Sequence, residues 1–404
     1  MDGQVGGQVS PSQQPAATSK HTTTQRGHGG LSFGASAMQG RRQEMEDRHT
    51  CQIEVPGLPG HSFFGVFDGH GGDAAAAQAE NLLLAAILSQ PLLVQYQADG
   101  CSGSALLGEA MTAGFLHCDA EIRTRIARSG TTAVCCFVTP SYFVCANAGD
   151  ARAVYCRGSG GEDGPGTSIC VKQASGEVVH CAHVGCIKAA LKNRGVDFSK
   201  CFEKHELVAL LELASAGAGR GVVVALSEDH KPDDLAERER IISAGGHVSR
   251  GSMRIGPMRV DGILAVSRGL GDFHFKADVS LPPTEQKVSP VPEIRQFARD
   301  HEQDEILILA CDGVWDVLTN QEACDTVRAL LLEEGEGDLG AVADKLLALC
   351  YEKGSTDNMT CIVVTFPAAN YGKGAGEGEV RVPLSEQTET EMEVQPKAEP
   401  ERCR

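Results

Sequence analysis

No run of eighteen or more apolar residues occurs in the 404-residue chain, so a simple membrane-spanning helix is not expected. The first residues, Met1-Asp2-Gly3-Gln4, lack the basic and apolar character of a secretory signal, and position 2 is not a glycine that could be myristoylated. Excess positive charge is lacking too. The formal net charge of −18 argues against a nucleic-acid binder that relies on phosphate neutralisation. The sixteen cysteines show no disulfide framework, and many lie in apolar runs (Cys135, Cys136, Cys145, Cys311, Cys361), where a reduced thiol acts as a small buried hydrophobe. The expectation is a soluble intracellular chain, cytoplasmic, nuclear or both.

What is present suffices for a sizeable core, since 42% of residues are hydrophobic. Residues 1–29 are Gln, Gly, Ser, Thr and Pro with few large apolar side chains, and read as a disordered arm. Residues 30–366 read as one large domain, interrupted at 159–219 by a glycine-flanked insertion, and 367–404 as a disordered acidic tail. Strands are expected at Leu31–Met38, Phe63–Phe67, Thr131–Thr139, Tyr142–Ala146, Val222–Leu226, Ile306–Cys311 and Met359–Phe366, with a strand passing into a turn over Ile263–Phe273. Helices are expected after Asp73 and over Ser104–Ile126, Asp233–Ala244, Asn320–Glu333 and Leu339–Lys353.

The apolar run Phe63–Phe67 stops on an acid, in Asp68-Gly69-His70-Gly71-Gly72. Alone, this reads equally as a strand-to-helix turn capped by Asp68. Asp150, Asp312 and Asp357 repeat the grammar, each a carboxylate in a polar or glycine-bearing turn beside an apolar segment. Together with Glu46 they would bring many negative charges to one sheet edge, which cations would have to neutralise. Oxygen-only ligands favour Mg²⁺ or Mn²⁺ over zinc.

Arg42 through Asp47, Asp68-Gly69-His70-Gly71-Gly72, Gly149-Asp150-Ala151-Arg152, Asp229-His230-Lys231-Pro232, Leu264 to Phe273, Asp312-Gly313-Val314-Trp315-Asp316 and Asp357-Asn358 stand in the order of one family. The chain resembles the metal-dependent protein phosphatases, the type 2C serine/threonine phosphatases, from about Leu31 to Phe366 apart from the insertion. The resemblance implies an α+β fold, a four-layer α-β-β-α sandwich of two antiparallel sheets flanked by helices. It implies hydrolysis of phosphoserine and phosphothreonine in protein substrates by a water activated at a binuclear Mn²⁺ or Mg²⁺ centre. By motif match Asp68 would bridge two metals and Gly69 would offer its carbonyl. Glu46, Asp312 and Asp357 would complete the cage. Asp150, Asp312 and Asp316 resemble the ligands of a weaker third metal. Arg42 would hold the substrate phosphate and His70 would be the general acid. As plainer readings, Arg42 pairs with a surface acid and His70 only hydrogen-bonds its turn.

Three departures concern substrate preference: Arg41 where many relatives have an aromatic, Gly269 loosening the Ser267–Asp272 turn, and His274 where an acid is common. Asp272 reads as a supporting or turn residue. The insertion resembles SAP-like two-helix modules in Arg194-Gly195-Val196-Asp197 and Cys201-Phe202-Glu203-Lys204. Balanced charge and the lack of a basic stripe favour a protein partner over nucleic acid. Cys181, His183, Cys186 and Cys201 lack the paired knuckles of a zinc site. The competing function is a pseudophosphatase scaffold that binds partners through the insertion. A monomer is expected.

Overall fold

Unbroken apolar strands are expected where a sheet is covered on both faces, and the computed structural model has two such sheets. It describes residues 19–21, 24–126, 128–158, 170–172, 178–180, 221–251, 256–332 and 337–369. The compact unit Met1–Gly372 contains all of them. The first sheet contains β1 (Ser19–His21), β2 (Gln25–Arg26), β3 (Ser32–Met38), β10 (Arg152–Arg157), β13 (Val223–Ala225), β18 (Asp304–Ala310) and β19 (Met359–Thr365). Its order is β1-β3-β19-β18-β10-β13, with β2 also on β3. The second contains β4 (Arg48–Gln52), β5 (Ser62–Phe67), β8 (Ala133–Val138), β9 (Tyr142–Ala148) and β17 (Glu293–Ala298), in the order β17-β9-β8-β5-β4. All of these pairings are antiparallel.

Successive strand side chains point to opposite faces, and β5 shows what this builds. Phe64 and Val66 face the other sheet, where they join Phe33, Tyr155, Leu307, Leu309, Ile362 and Val364. Phe63 and Phe67 face outward onto α1 (Ala74–Leu88), α2 (Pro91–Ala98) and α3 (Ser104–Arg123). The first sheet turns Ile306, Ile308, Cys361 and Val363 out toward α6 (Asn320–Leu332) and α7 (Leu339–Glu352). Four layers result, helix, sheet, sheet and helix, in agreement with the expected sandwich. Truncating a fully buried side chain such as Phe64 to alanine should cost about 3–5 kcal/mol.

On α3 the buried face is Leu107, Ala110, Met111, Phe115, Cys118 and Ile122. Gly114 lets it approach the backbone of Ile87 on α1. Among the described residues no single helix is long and apolar enough to cross a membrane. The bent pair α1 and α2 has the length and composition, but packs on the second sheet.

Four differences from the sequence reading have physical causes. Residues 19–21 and 25–26, expected within a disordered arm, pair with the open edge of β3, an interaction carried by backbone rather than by apolar side chains. Thr24 between them bonds Asp338 and receives the Leu339 amide at 2.6 Å, capping α7. Strand β17 was not expected, because an edge strand can be polar and half-buried on both faces. The apolar stretch from Ile263 is turn rather than strand until β16 (Leu270–Gly271). There the Ser267 amide bonds His230 O and its carbonyl accepts from Ser289. Finally, Cys156 of β10 and Cys324 of α6 form a disulfide, against the reading of the cysteines as reduced. Burial placed them opposite each other across the sheet-helix layer. Nine described cysteines are free, Cys135, Cys136, Cys145, Cys311 and Cys361 among them.

Most of the inserted stretch, including its expected helices, lies outside the described residues. Strands β11 (Cys170–Lys172) and β12 (Val178–His180) pair with each other there. Two short ribbons complete the fold: β14 (Val248–Ser249) with β15 (Arg259–Val260), and a three-stranded one in which β6 (Gly69–His70) and β16 flank β7 (Gly130–Thr131). Helix α4 (Leu235–Ser243) packs near the first of these.

Candidate metal centre

Each acid arrives at the end of a strand. Asp68 follows β5, and its carbonyl accepts from the Thr132 amide at 2.9 Å and the Thr131 hydroxyl at 3.1 Å. Asp312 follows β18 by one residue and opens the short helix α5 (Asp312–Trp315). Asp150 lies in the crossover from β9 of one sheet to β10 of the other, where Gly149 takes φ +131° and abuts Thr132. Carboxylate oxygens of Asp68, Asp150 and Asp312 all lie within 4.8 Å of one another. Asp47, Asp68 and Cys311 make a second such group.

Crowding of this kind is costly without cations. Burial pushes Asp68 well above the ordinary carboxylate range, and the charges of Asp312, Asp47, Asp150 and Asp357 push it further. Asp312 is raised by burial, then by Asp150, Asp357 and Asp316, with Lys231 opposing. Asp316 is exposed and bonds Asp312 only through its backbone amide, at 2.8 Å; burial is still the first cause of its raised pKa. Lys231, from the Asp229-His230-Lys231-Pro232 motif, is paired with Asp150.

The remaining predicted residues surround this group. Glu46 accepts the Gly72 amide on Oε1 at 2.6 Å, and its backbone carbonyl packs against Gly69. Asn358 organises the same loop: its Oδ1 accepts the Glu46 amide and its Nδ2 donates to Gln39 O and Glu44 O. Arg42 is paired with Asp357, so a plainer reading of this arginine, an ion pair with an acid, holds in this structure. His70 Nε2 lies 2.7 Å from Asp272 Oδ2. Burial alone would lower the imidazole pKa, but the Asp272 charge and hydrogen bond raise it.

One site residue, Asp47, and the partner of another, Asp272, were not legible in the sequence. Asp47, in sequence only one member of the Arg42–Asp47 motif, is 3% exposed, with Oδ2 accepting from Thr360 Oγ1 at 2.8 Å. Burial first, then Asp357, raises its pKa to about 6 against the opposing bonds from Thr360 and Cys311. Its Oδ1 is buried with no hydrogen-bond partner among the described residues. An acid beside the expected ligand Glu46 was the available signal. Asp272 was read as a supporting residue without a partner, and its partner is His70. Gly269 does not loosen its turn: its amide donates to Ser289 O, and a side chain there would strike Thr131 O. Arg41 stacks at 4.4 Å on the Tyr351 ring and donates to Ser355 O, while His274 is exposed beside Phe275.

The donor set fits hard divalent cations. It offers clustered oxygen donors, carboxylates whose mutual repulsion needs neutralising, and one orphaned buried oxygen on Asp47.

Comparison with known proteins agrees with this geometry. The family model described as protein phosphatase 2C matches residues 31–167 and 161–359. Protein phosphatase 1B of Mus musculus is 35% identical over 365 residues, spanning 87% of this chain and 74% of the relative. Protein phosphatase 1A of Homo sapiens is 35% identical over 360 residues, with the same coverage of each. The solved serine-threonine phosphatase 2C from Toxoplasma gondii superposes with a TM-score of 0.60 at 20% identity, covering 87% of this chain and 99% of that one. A sandwich with converging acids, a matching family model over most of its length and relatives at this identity lead to one assignment: the chain belongs to the protein phosphatase 2C family, the type 2C metal-dependent protein phosphatases.

Proposed function

We propose that this phosphatase releases phosphate from phosphoserine and phosphothreonine in proteins, using two Mn²⁺ or Mg²⁺ ions held by Asp68, Gly69, Glu46, Asp312 and Asp357. Asp150, Asp312 and Asp316 offer a weaker third position. The observation that carries the reading is the approach of the Asp68, Asp150 and Asp312 oxygens to within 4.8 Å, a concentration of charge that Lys231 alone does not balance. When bound, the cations supply Lewis acidity toward water and the phosphate oxygens.

The chain's own residues do the rest. Arg42 offers paired donors to phosphate oxygens, and it is free to do so once it gives up Asp357. His70 delivers a proton to the departing seryl or threonyl oxygen. Water forms the new bond to phosphorus as the ester P–O bond breaks; the ester oxygen keeps the bond pair and takes the His70 proton, and the proton lost by water goes to solvent. The scaffold alternative is not favoured, because every expected acid is present. Reduced cysteines over most of the core suit a cytoplasmic or nuclear setting.

Phosphate release from a phosphothreonine peptide, measured beside hydrolysis of bis(para-nitrophenyl) phosphate with Mn²⁺ and after chelation, tests this. Monoester turnover that stops on chelation is expected. Preference for the diester, or turnover indifferent to chelation, would contradict it.

A further inference from the structure

His70 and Asp272 meet across a glycine. His70 ends β6, Asp272 follows β16, and Gly130 of the intervening β7 pairs with both His70 and Gly271. A Cβ on Gly130 would occupy the space of Asp272 Oδ2 and His70 Nε2. Asp272 takes φ +52° and ψ +40°, a left-handed conformation that a non-glycine residue keeps only when its surroundings impose it.

The surroundings are a buried ion pair. Asp119 Oδ1, on α3, accepts from the Gly271 amide at 2.8 Å and from Lys276 Nζ at 2.7 Å. Lys276 Nζ also donates to Gly269 O at 2.8 Å. The pair therefore ties Lys276, which follows Asp272, to the backbone at Gly269 and Gly271, which precede it. The Lys276 and Asp119 side chains are only 2% and 8% exposed, and the cost of burying two charges is offset here by their mutual bond and their bonds to the Gly271 amide and Gly269 carbonyl. The proposed chemistry gives neither residue a direct part.

We propose that Asp272, held in its left-handed conformation by the Asp119–Lys276 pair, is the positioning residue that fixes the His70 ring by Nε2 and leaves Nδ1 as the nitrogen that gives up its proton. This rests on the reading of His70 as general acid. Nδ1 makes no hydrogen bond among the described residues. In the reaction the Nδ1 proton passes to the ester oxygen as the P–O bond breaks, and the ring is left neutral with Nε2–H on Asp272.

Leaving-group dependence tests the proposal. A threonyl oxygen needs a proton to depart; para-nitrophenolate does not. In the Mn²⁺-saturated full chain, His70→Gln should lose about a hundredfold in kcat on a phosphothreonine peptide and only a few-fold on para-nitrophenyl phosphate. Asp272→Asn should give the same selectivity, about tenfold or more on the peptide, with KM unchanged. Gly130→Ala, which displaces the pair from the other side, should repeat it. Equal losses on both substrates in Asp272→Asn, beside a selective His70→Gln, would overturn the positioning role. A His70→Gln variant without selectivity would overturn the general-acid reading and the proposal with it. Histidine ¹⁵N NMR of the Mg²⁺-loaded wild type needs no variant: the neutral ring should carry its proton on Nε2, and the opposite tautomer would overturn the assignment.

Discussion

Arg42 and Asp357 hold each other: the arginine proposed to bind phosphate is paired with a carboxylate proposed to bind a cation. The Arg42 side chain is exposed, at 52%, and Asp357 is half-buried, at 28%, so solvent screens the pair and it is worth about 1 kcal/mol. A phosphate can replace Asp357 at little cost. Arg42→Ala should therefore raise KM for a phosphothreonine peptide by about ten- to a hundredfold, the loss of charge-assisted hydrogen bonds. The urea midpoint should hardly move. An unchanged KM would mean that Arg42 only pairs with Asp357.

Glu237 supplies a prediction about pH that lies away from the metal centre. Burial opposes its ionisation, but hydrogen bonds from Arg268 and the charge of Arg240 bring its pKa down to about 2. The side chain is 5% exposed and also accepts from Ser267 Oγ at 2.6 Å. A lowered carboxylate stabilises the fold above its ordinary pKa of about 4.5, and that contribution is lost as pH falls toward 2. Glu237→Gln should cost about 3 kcal/mol at pH 7. The difference from wild type, followed by urea unfolding, should stay constant down to about pH 4.5 and shrink below it. A difference that does not change with pH would show that packing, not charge, holds this network.

The neck of the insertion predicts its independence from turnover. Asp150 and Arg152 lie at the metal end of β10, while Arg157 at the other end is bonded to Val222 O at 2.8 Å and Gly158 to Gln303 O at 2.8 Å. Strand length puts this neck about 20 Å from the acids. Replacing 159–219 by a short Gly-Ser linker should leave kcat for para-nitrophenyl phosphate within about threefold, since loop length costs little. Loss of turnover by a folded deletion variant would contradict a docking role.

How far the sequence is legible depends on the range of the interaction. Phe63–Phe67 and Ile306–Ala310 announce themselves because both faces of each strand are buried. The acids at their ends follow from strand placement alone. By contrast, Glu293–Ala298 is an edge strand without an apolar alternation, and Ser19–His21 is held by backbone bonds that leave no mark on side-chain pattern. Long-range polar partners are the least visible. Thr360 meets Asp47 across 313 positions and Asp272 meets His70 across 202, and no local periodicity encodes either pair. Ile263–Val266 is apolar yet not a strand, because Arg240 and Arg268 tie the following backbone and side chains to Glu237.

The central claim is that Asp68, Asp150 and Asp312 converge in order to hold cations used in phosphate release. Its most direct test is the initial rate on a phosphothreonine peptide across a Mn²⁺ titration, with wild type beside Asp312→Asn and Mn²⁺ binding followed by calorimetry. Saturable Mn²⁺-dependent turnover is expected in wild type, and in the variant weaker Mn²⁺ binding with a rate lower by more than about a hundredfold. Wild type that binds Mn²⁺ but releases no phosphate, or Asp312→Asn that matches wild type in both binding and rate, would contradict it.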